Sequence, residues 1–247
     1  MNLKNKVAWI TGGARMGAAV AGVLSREGCR IVLTYRTSKK PAQDIVRKLI
    51  SDGGEAQALA CDLTRLEQIE RTARQIVRAY QRLDILVNLS SIYEKSPLLN
   101  VKGAVRSWEA HFKANAQSAF QLSLGAAPWM KRAGGGRIVH ISDWTSASGR
   151  PRYKDYAPYY ASKAAIKGVV ESLALELAPK VLVNAIAPGP ILPPPGLSAR
   201  EYDAVIKATP LARWGGASEI AKAVLFLVES DFVTGETIRV DGGRHLY

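Results

Sequence analysis

The stretch "KVAWITGGARMGAAVAGVLSREG", Lys6 to Gly28, decides how the rest of the chain is read. "KVAWI" is strand-like, a glycine cluster follows, and "GAAVAGVLSREG" has the alanine-rich composition and closing glycine of a helix. Strand, glycine turn and helix in that order open a βαβ unit. The alternation then continues. "RIVLTY", "EAQALA", "LDILVN", "GRIVHIS", "VLVNAIA" and "TIRV" read as strands. Between them lie "PAQDIVRKLISDGG", opened by Pro41 and stopped by Gly53–Gly54, and the amphipathic "RLEQIERTARQIVRAY". The segment around "YASKAAIKGVVESLALELA" and "SEIAKAVLFLVES" complete the helices.

Strands alternating with helices imply an α/β fold: a Rossmann-like, doubly wound, mostly parallel sheet flanked by helices, with right-handed crossovers. With 247 residues, 47% of them hydrophobic and 22% charged, the chain is expected to form a single domain over 1–247 around one core. One long segment is irregular: "PGPILPPPGLSAREY", Pro188 to Tyr202, where three consecutive prolines exclude a helix or a central strand. A substrate loop over about 188–207, of the lid type, is the expectation.

Composition narrows the function. The apolar runs are too short to cross a bilayer and no secretory leader precedes the first strand, so a cytoplasmic location is expected. Cys29 and Cys61 lack metal-type spacing, as do His111, His140 and His245, so no metal site is expected. The formal charge of +13 is dispersed along the chain and accompanies no nucleic-acid motif. Neither nucleic acid nor a membrane is therefore the expected partner. A small molecule is, within a field that attracts phosphate-bearing ligands.

The glycine turn "TGGARMG", Thr11 to Gly17, lets backbone approach a pyrophosphate at a helix N-terminus. The end of the second strand then discriminates between cofactors. An acidic residue there would hold the ribose hydroxyls of NAD. This chain instead carries "TYRTSKK", where Arg36, Thr37 and Ser38 suit a 2′-phosphate and no carboxylate repels it. NADPH is the expected cofactor.

With "TGGARMG", "LVNLSS", "KANAQSAF", "PYYASK", "VNAIAPGP" and the terminal "TGETIRVDGG", the chain resembles the short-chain dehydrogenase/reductase family over nearly its whole length. Within that family it is most similar to the pteridine and dihydromonapterin reductases. Those members carry an arginine in the glycine turn, a basic stretch after the second strand, and an aspartate where most relatives have the catalytic serine. Here that position is Asp143, in "ISDWTS". The resemblance implies cofactor contacts at Gly12, Arg15, Met16, Gly17, Asp62, Leu63, Asn88, Pro188, Gly189 and Ile191. It also implies a homotetramer, and a role for Asn115 in holding a proton-relay water. The sequence departs from the family in four places. The glycine motif and "NLSS" are each one residue short, and Ile92–Tyr93 stands where a pterin-stacking phenylalanine is common. Asp143 also lies farther ahead of Tyr159 than the family spacing, with "GRPRYKDY" as the extension. Arg15 aligns with either a 2′-phosphate contact or an arginine facing pyrophosphate and substrate.

Tyr159 and Lys163 are four apart, hence one helical turn apart on one face, and match the family motif YxxxK. Tyr160 is the nearest competitor. An ammonium one turn away is expected to favour the phenolate and bring the phenol toward working pH. Asp143 is either a cap or, if buried, a proton source. Ser90, Tyr93 and Trp144 are the candidate substrate contacts, with Trp214 a further wall. The expected reaction is NADPH-dependent reduction of a small unsaturated substrate, a dihydropterin first, with Tyr159 as proton donor. The alternatives are a 3-oxoacyl-(carrier-protein) or other carbonyl reductase and, from another class, a non-catalytic NADP(H) sensor.

Overall fold

The computed structural model describes residues 1–12, 16–194 and 196–246. The strands are β1 (Val7–Thr11), β2 (Arg30–Tyr35), β3 (Ala56–Ala60), β4 (Ile85–Asn88), β5 (Gly136–Ile141), β6 (Val181–Pro188) and β7 (Thr237–Val240). They form one seven-stranded sheet in the order β3-β2-β1-β4-β5-β6-β7, every neighbouring pair parallel. The order reverses between β1 and β4, so the crevice beyond their carboxyl ends is the natural place for a ligand.

The sheet is covered on both faces, which explains why its strands read as apolar runs rather than alternating ones. Along β1, Ala8 and Ile10 pack against α1 (Ala18–Arg26) and α9 (Ala217–Glu229), among Val20, Leu24, Ile220 and Val224. Val7 and Trp9 face the opposite layer with Ile69 and Ile76 of α3 (Leu66–Tyr80), Leu122 and Met130 of α5 (Ser118–Arg132), and Ile166 and Val170 of α7 (Ala157–Leu177). Helix α2 (Lys39–Ser51) begins two residues before Pro41, which sits in its first turn.

The sequence reading assigned no helix between β4 and β5. The structure places α4 (Val101–His111) there, continued through a π-helical turn, Phe112–Gln117, into α5. The expected loop over 188–207 also needs correction. Its irregular part ends at Ser198, which caps α8 (Ala199–Lys207) through a reciprocal pair with Glu201. Helix α8 buries none of its side chains. Among the described residues no helix is long and apolar enough to cross a membrane, and no cluster of potential metal ligands occurs.

Candidate active site

A cleft of about 640 Å³ opens along the carboxyl edge of the sheet. Its floor begins at the glycine turn. Gly12 has φ +74°, and a Cβ there would stand 2.8 Å from the Ser90 nitrogen, so only glycine lets β1 and the segment after β4 close up. Met16, Arg36, Thr37, Ser38, Asp62 and Leu63 line this half of the cleft; Arg15 lies outside the described residues. Arg36, Thr37 and Ser38 are exposed at the end of β2, and no acidic residue occupies the first turn of α2 behind them. Asp62 is committed locally, accepting from the Thr64 amide at 3.0 Å and its hydroxyl at 2.8 Å. Burial pushes its carboxyl up, but the Thr64 hydrogen bonds and the charges of Arg36 and Arg65 outweigh this and leave it lowered.

Three of the expected site residues do not line the cleft: Gly17, Asn88 and Asn115. Gly17 packs under the glycine turn, where a Cβ would lie 3.0 Å from the Gly12 carbonyl. Asn88 belongs to a buried chain beneath the floor. Its Oδ1 accepts from the Thr11 hydroxyl at 2.7 Å, and its amide meets His140 Nδ1 at 3.4 Å. His140 Nε2 in turn lies 2.8 Å from the Ser123 hydroxyl. Burial, with the nearby Lys163 charge, lowers His140 to about 3, so its imidazole is neutral. Asn115, on the π-helical turn, bonds the Ile92 amide at 3.0 Å and the Ser162 hydroxyl at 3.0 Å. It thereby ties the loop after β4 to the helix that carries Tyr159.

Tyr159 projects from the first turns of α7, with Pro158 in the helix's opening positions as its fixed φ favours. Its hydroxyl donates to Asp143 Oδ2 at 2.9 Å. Asp143 follows β5 and caps the short helix α6 (Trp144–Ala147), its Oδ1 accepting from the Thr145 amide at 2.8 Å and hydroxyl at 2.5 Å. The capping reading of Asp143 is therefore the one the geometry shows, and its second oxygen accepts from the phenol rather than offering it a proton.

Lys163 is fully buried, its ammonium donating to the Ile141 carbonyl at 2.7 Å and lying 6.0 Å from the Tyr159 ring centre. The expected direction of the phenol's shift is overturned. Burial first, then the Asp143 charge and hydrogen bond, raise Tyr159 well above the ordinary tyrosine value. Burial lowers Lys163 to about 8, with Asp143 opposing. The lysine spends its closest contact on a backbone carbonyl, while a carboxylate holds the phenol.

The substrate end is aromatic. Tyr93 stacks on Tyr156 at 4.5 Å and meets Tyr159 edge-on at 4.7 Å, and Trp144 meets Tyr153 at 6.5 Å. The "GRPRYKDY" extension thus supplies Tyr153 to the cleft lining and Tyr156 as the stacking partner of Tyr93, neither of which motif spacing alone identified. Ser90, Trp214 and Arg244 complete this end, together with Pro188 at the end of β6 and Gly189 and Ile191 after it. Arg244 was missed; the basic residue directly after the glycine pair of "VDGGRH" was its one signal.

A family model described as enoyl-(acyl carrier protein) reductase matches residues 13–245. The chain belongs to the short-chain dehydrogenase/reductase family. A 3-oxoacyl-(acyl-carrier-protein) reductase of Synechocystis is 31% identical over 250 residues, covering 99% of each chain. The short-chain dehydrogenase/reductase of Serratia marcescens superposes with a TM-score of 0.90 at 30% identity, over 99% of this chain and 100% of that one. A blue fluorescent protein from a metagenomic library, solved in complex with NADPH, superposes with a TM-score of 0.87 at 29% identity, over 99% of each chain. An oxidoreductase of this family is thus established. The Synechocystis relative is named a 3-oxoacyl-(acyl-carrier-protein) reductase, and none of these three proteins is named a pteridine reductase.

Proposed function

We propose that the protein is an NADPH-dependent carbonyl reductase acting on a 3-oxoacyl thioester or a related ketone, with Tyr159 as proton donor. The observation that carries this reading is the Tyr159 hydroxyl, kept protonated by burial and by Asp143 at the cleft wall. A phenol so held can give up a proton only when a stronger base than Asp143 is generated beside it, and a developing alkoxide is such a base. Arg36, Thr37 and Ser38 would hold the 2′-phosphate, and Gly12 and Met16 would underlie the pyrophosphate. Asp62 and Leu63 would flank the adenosine, while Pro188, Gly189 and Ile191 would back the nicotinamide. The fit rests on the positive-φ Gly12 cradle and on Arg36, Thr37 and Ser38 following β2 with no acidic residue among them or in the first turn of α2.

When bound, NADPH supplies a hydride to the electrophilic carbon. Tyr159 protonates the oxygen that becomes the alcohol and is itself reprotonated from solvent. Lys163, charged below about pH 8 and with its ammonium 6.0 Å from the Tyr159 ring centre, offsets the charge of the transient phenolate. Asn115 positions the Tyr159 helix rather than touching substrate. Ser90, Tyr93 and Trp144 would contact the substrate chain. The pterin alternative is weakened by Tyr93, whose ring is already stacked on Tyr156. A homotetramer in the cytoplasm accords with the family, and exposed Val105, Trp108 and Phe120 on α4 and α5 offer apolar surface for it.

The test is NADPH oxidation with acetoacetyl thioester set against dihydrobiopterin. Turnover of the thioester supports the reading, and turnover of dihydrobiopterin alone would restore the pterin assignment. Tight NADPH binding with neither substrate consumed would favour a sensor.

A further inference from the structure

The C-terminal turn brings a cation to the substrate end that the proton-transfer chemistry does not use. Arg244 opens a single 3₁₀ turn, Arg244–Leu246, and its guanidinium lies 5.8 Å from the Trp144 ring centre on the cleft wall. One of its N–H groups donates to the Ala208 carbonyl, beyond the end of α8. The turn that carries it is pinned. Asp241, buried, accepts from the Gly243 and His245 amides at 3.0 Å each and from the His245 ring at 2.7 Å, while the Leu211 amide donates to the Gly242 carbonyl.

Arg137 pairs with Asp231 and Arg213 with Glu219, whereas Arg244 has no carboxylate partner among the described residues. The other cations lining the cleft have different assignments. Arg36 stands at the opposite end, beside β2, and the Lys163 ammonium is spent on Ile141. The carboxylates lining the cleft are also engaged, Asp62 by Thr64 and Asp143 by Thr145 and Tyr159. A guanidinium whose carbon lies over an indole ring and one of whose nitrogens is spent on a carbonyl has donors left in the planar fork that suits a carboxylate. The Trp214 indole N–H, buried in the same cleft and without a partner, adds a second donor.

We propose that Arg244 makes the substrate end a receptor for a carboxylate, so that the compound reduced is a small oxo acid rather than a neutral ketone. Trp144, beneath Arg244, is the residue next to Asp143, on which the proton-donating phenol rests. Tyr159 and Arg244 line the same cleft, so an oxo acid that spans them would present its carbonyl to the phenol and its carboxylate to the guanidinium. The carboxylate preference stands on Arg244 itself, while the reduction rests on the carbonyl-reductase reading.

The test separates the two. Unreactive butanoate and butanamide are titrated against the protein with NADPH present, by ligand-observed NMR. A charge-assisted bond of about 1.5–3 kcal/mol corresponds to butanoate binding roughly 10- to 100-fold more tightly. Arg244→Met should abolish that preference, Arg244→Lys should retain part of it, and Arg239→Met, outside the cleft, should keep it. In parallel, the kcat/KM ratio of acetoacetate to ethyl acetoacetate should fall about 10-fold or more in Arg244→Met. Equal binding of butanoate and butanamide by the unmodified protein, or a preference that survives Arg244→Met, overturns the proposal. Preserved butanoate preference with neither ketone reduced would support the anion site and sink the reductase reading instead.

Discussion

The two ends of the cleft are built on opposite principles. At the β2 end, Arg36, Thr37 and Ser38 are exposed and contribute donors that act one at a time. Around Tyr159 the groups are coupled: Asp143 holds the phenol, Lys163 is buried against Ile141, and neutral His140 lies beneath. Exposed charges are screened, so a change at the first end costs what it removes. Buried charges set one another's protonation, so a change at the second end resets its neighbours.

The sharpest way to break this contrast is at its centre. Tyr159→Phe removes the proton donor and is expected to lower kcat by about 10³-fold, within the usual range for a general acid, while sparing NADPH affinity. Steady-state kinetics with a direct cofactor titration decide it. Wild-type-like turnover would transfer the role to Tyr160 or dismiss it. Next in size is the cofactor end. Arg36→Asp replaces a 2′-phosphate donor with a repelling carboxylate and is expected to weaken NADPH binding about 100-fold relative to NADH. Equal losses for both nucleotides would remove the 2′-phosphate contact.

The contrast also separates what the sequence showed from what it hid. All seven strands were legible: β1, β2, β4, β5 and β6, buried on both faces, appear as short apolar runs, and the less buried edge strands β3 and β7 complete the alternation with helices. The span Val101–Arg132 was not, since Gly103, Gly125 and Pro128 interrupt its pattern and a π-helical turn shifts its faces midway. Helix α8 was concealed by the prolines ahead of it. In the site, the exposed set at β2 and the Tyr159–Lys163 pair follow from local spacing. The phenol's raised pKa does not, because it depends first on how deeply the fold buries the hydroxyl and then on which oxygen of Asp143 is free after capping α6. Arg244 was equally hidden, since its place in the cleft depends on how the C-terminal turn returns to Trp144.

Lys163 tests the cost of burying charge. Its pKa falls from the ordinary 10.5 to about 8, so between those values the unfolded chain holds the proton that the folded chain has released. Stability therefore rises with pH across that window, and the full penalty applies below pH 8. The penalty is about 3 kcal/mol, and the lost bond to Ile141 offsets about 1 kcal/mol of any gain from removing the charge. Lys163→Met is thus expected to stabilise the fold by about 2 kcal/mol at pH 7 while turnover is lost, with the advantage fading by pH 10. Denaturant midpoints at both pH values measure it, and a destabilised variant at pH 7 would show that the ammonium is well compensated.

Asp143→Asn makes the smallest change in shape and the most specific one in charge. The amide oxygen can still cap α6 and the amide nitrogen can still meet the Tyr159 hydroxyl, so the helix start should survive. What disappears is the negative charge that, after burial, most strongly opposes the phenolate. Ketone reduction is expected to change by no more than about ten-fold, since the phenol remains protonated at neutral pH. Oxidation of the product alcohol runs the other way and needs the phenolate as base, so its rising limb should move to lower pH. The pH profile of alcohol oxidation, compared between the two proteins, reads this directly. An unmoved limb would mean that the carboxylate does not govern the phenol, and the buried end would then be a set of independent groups like the exposed one.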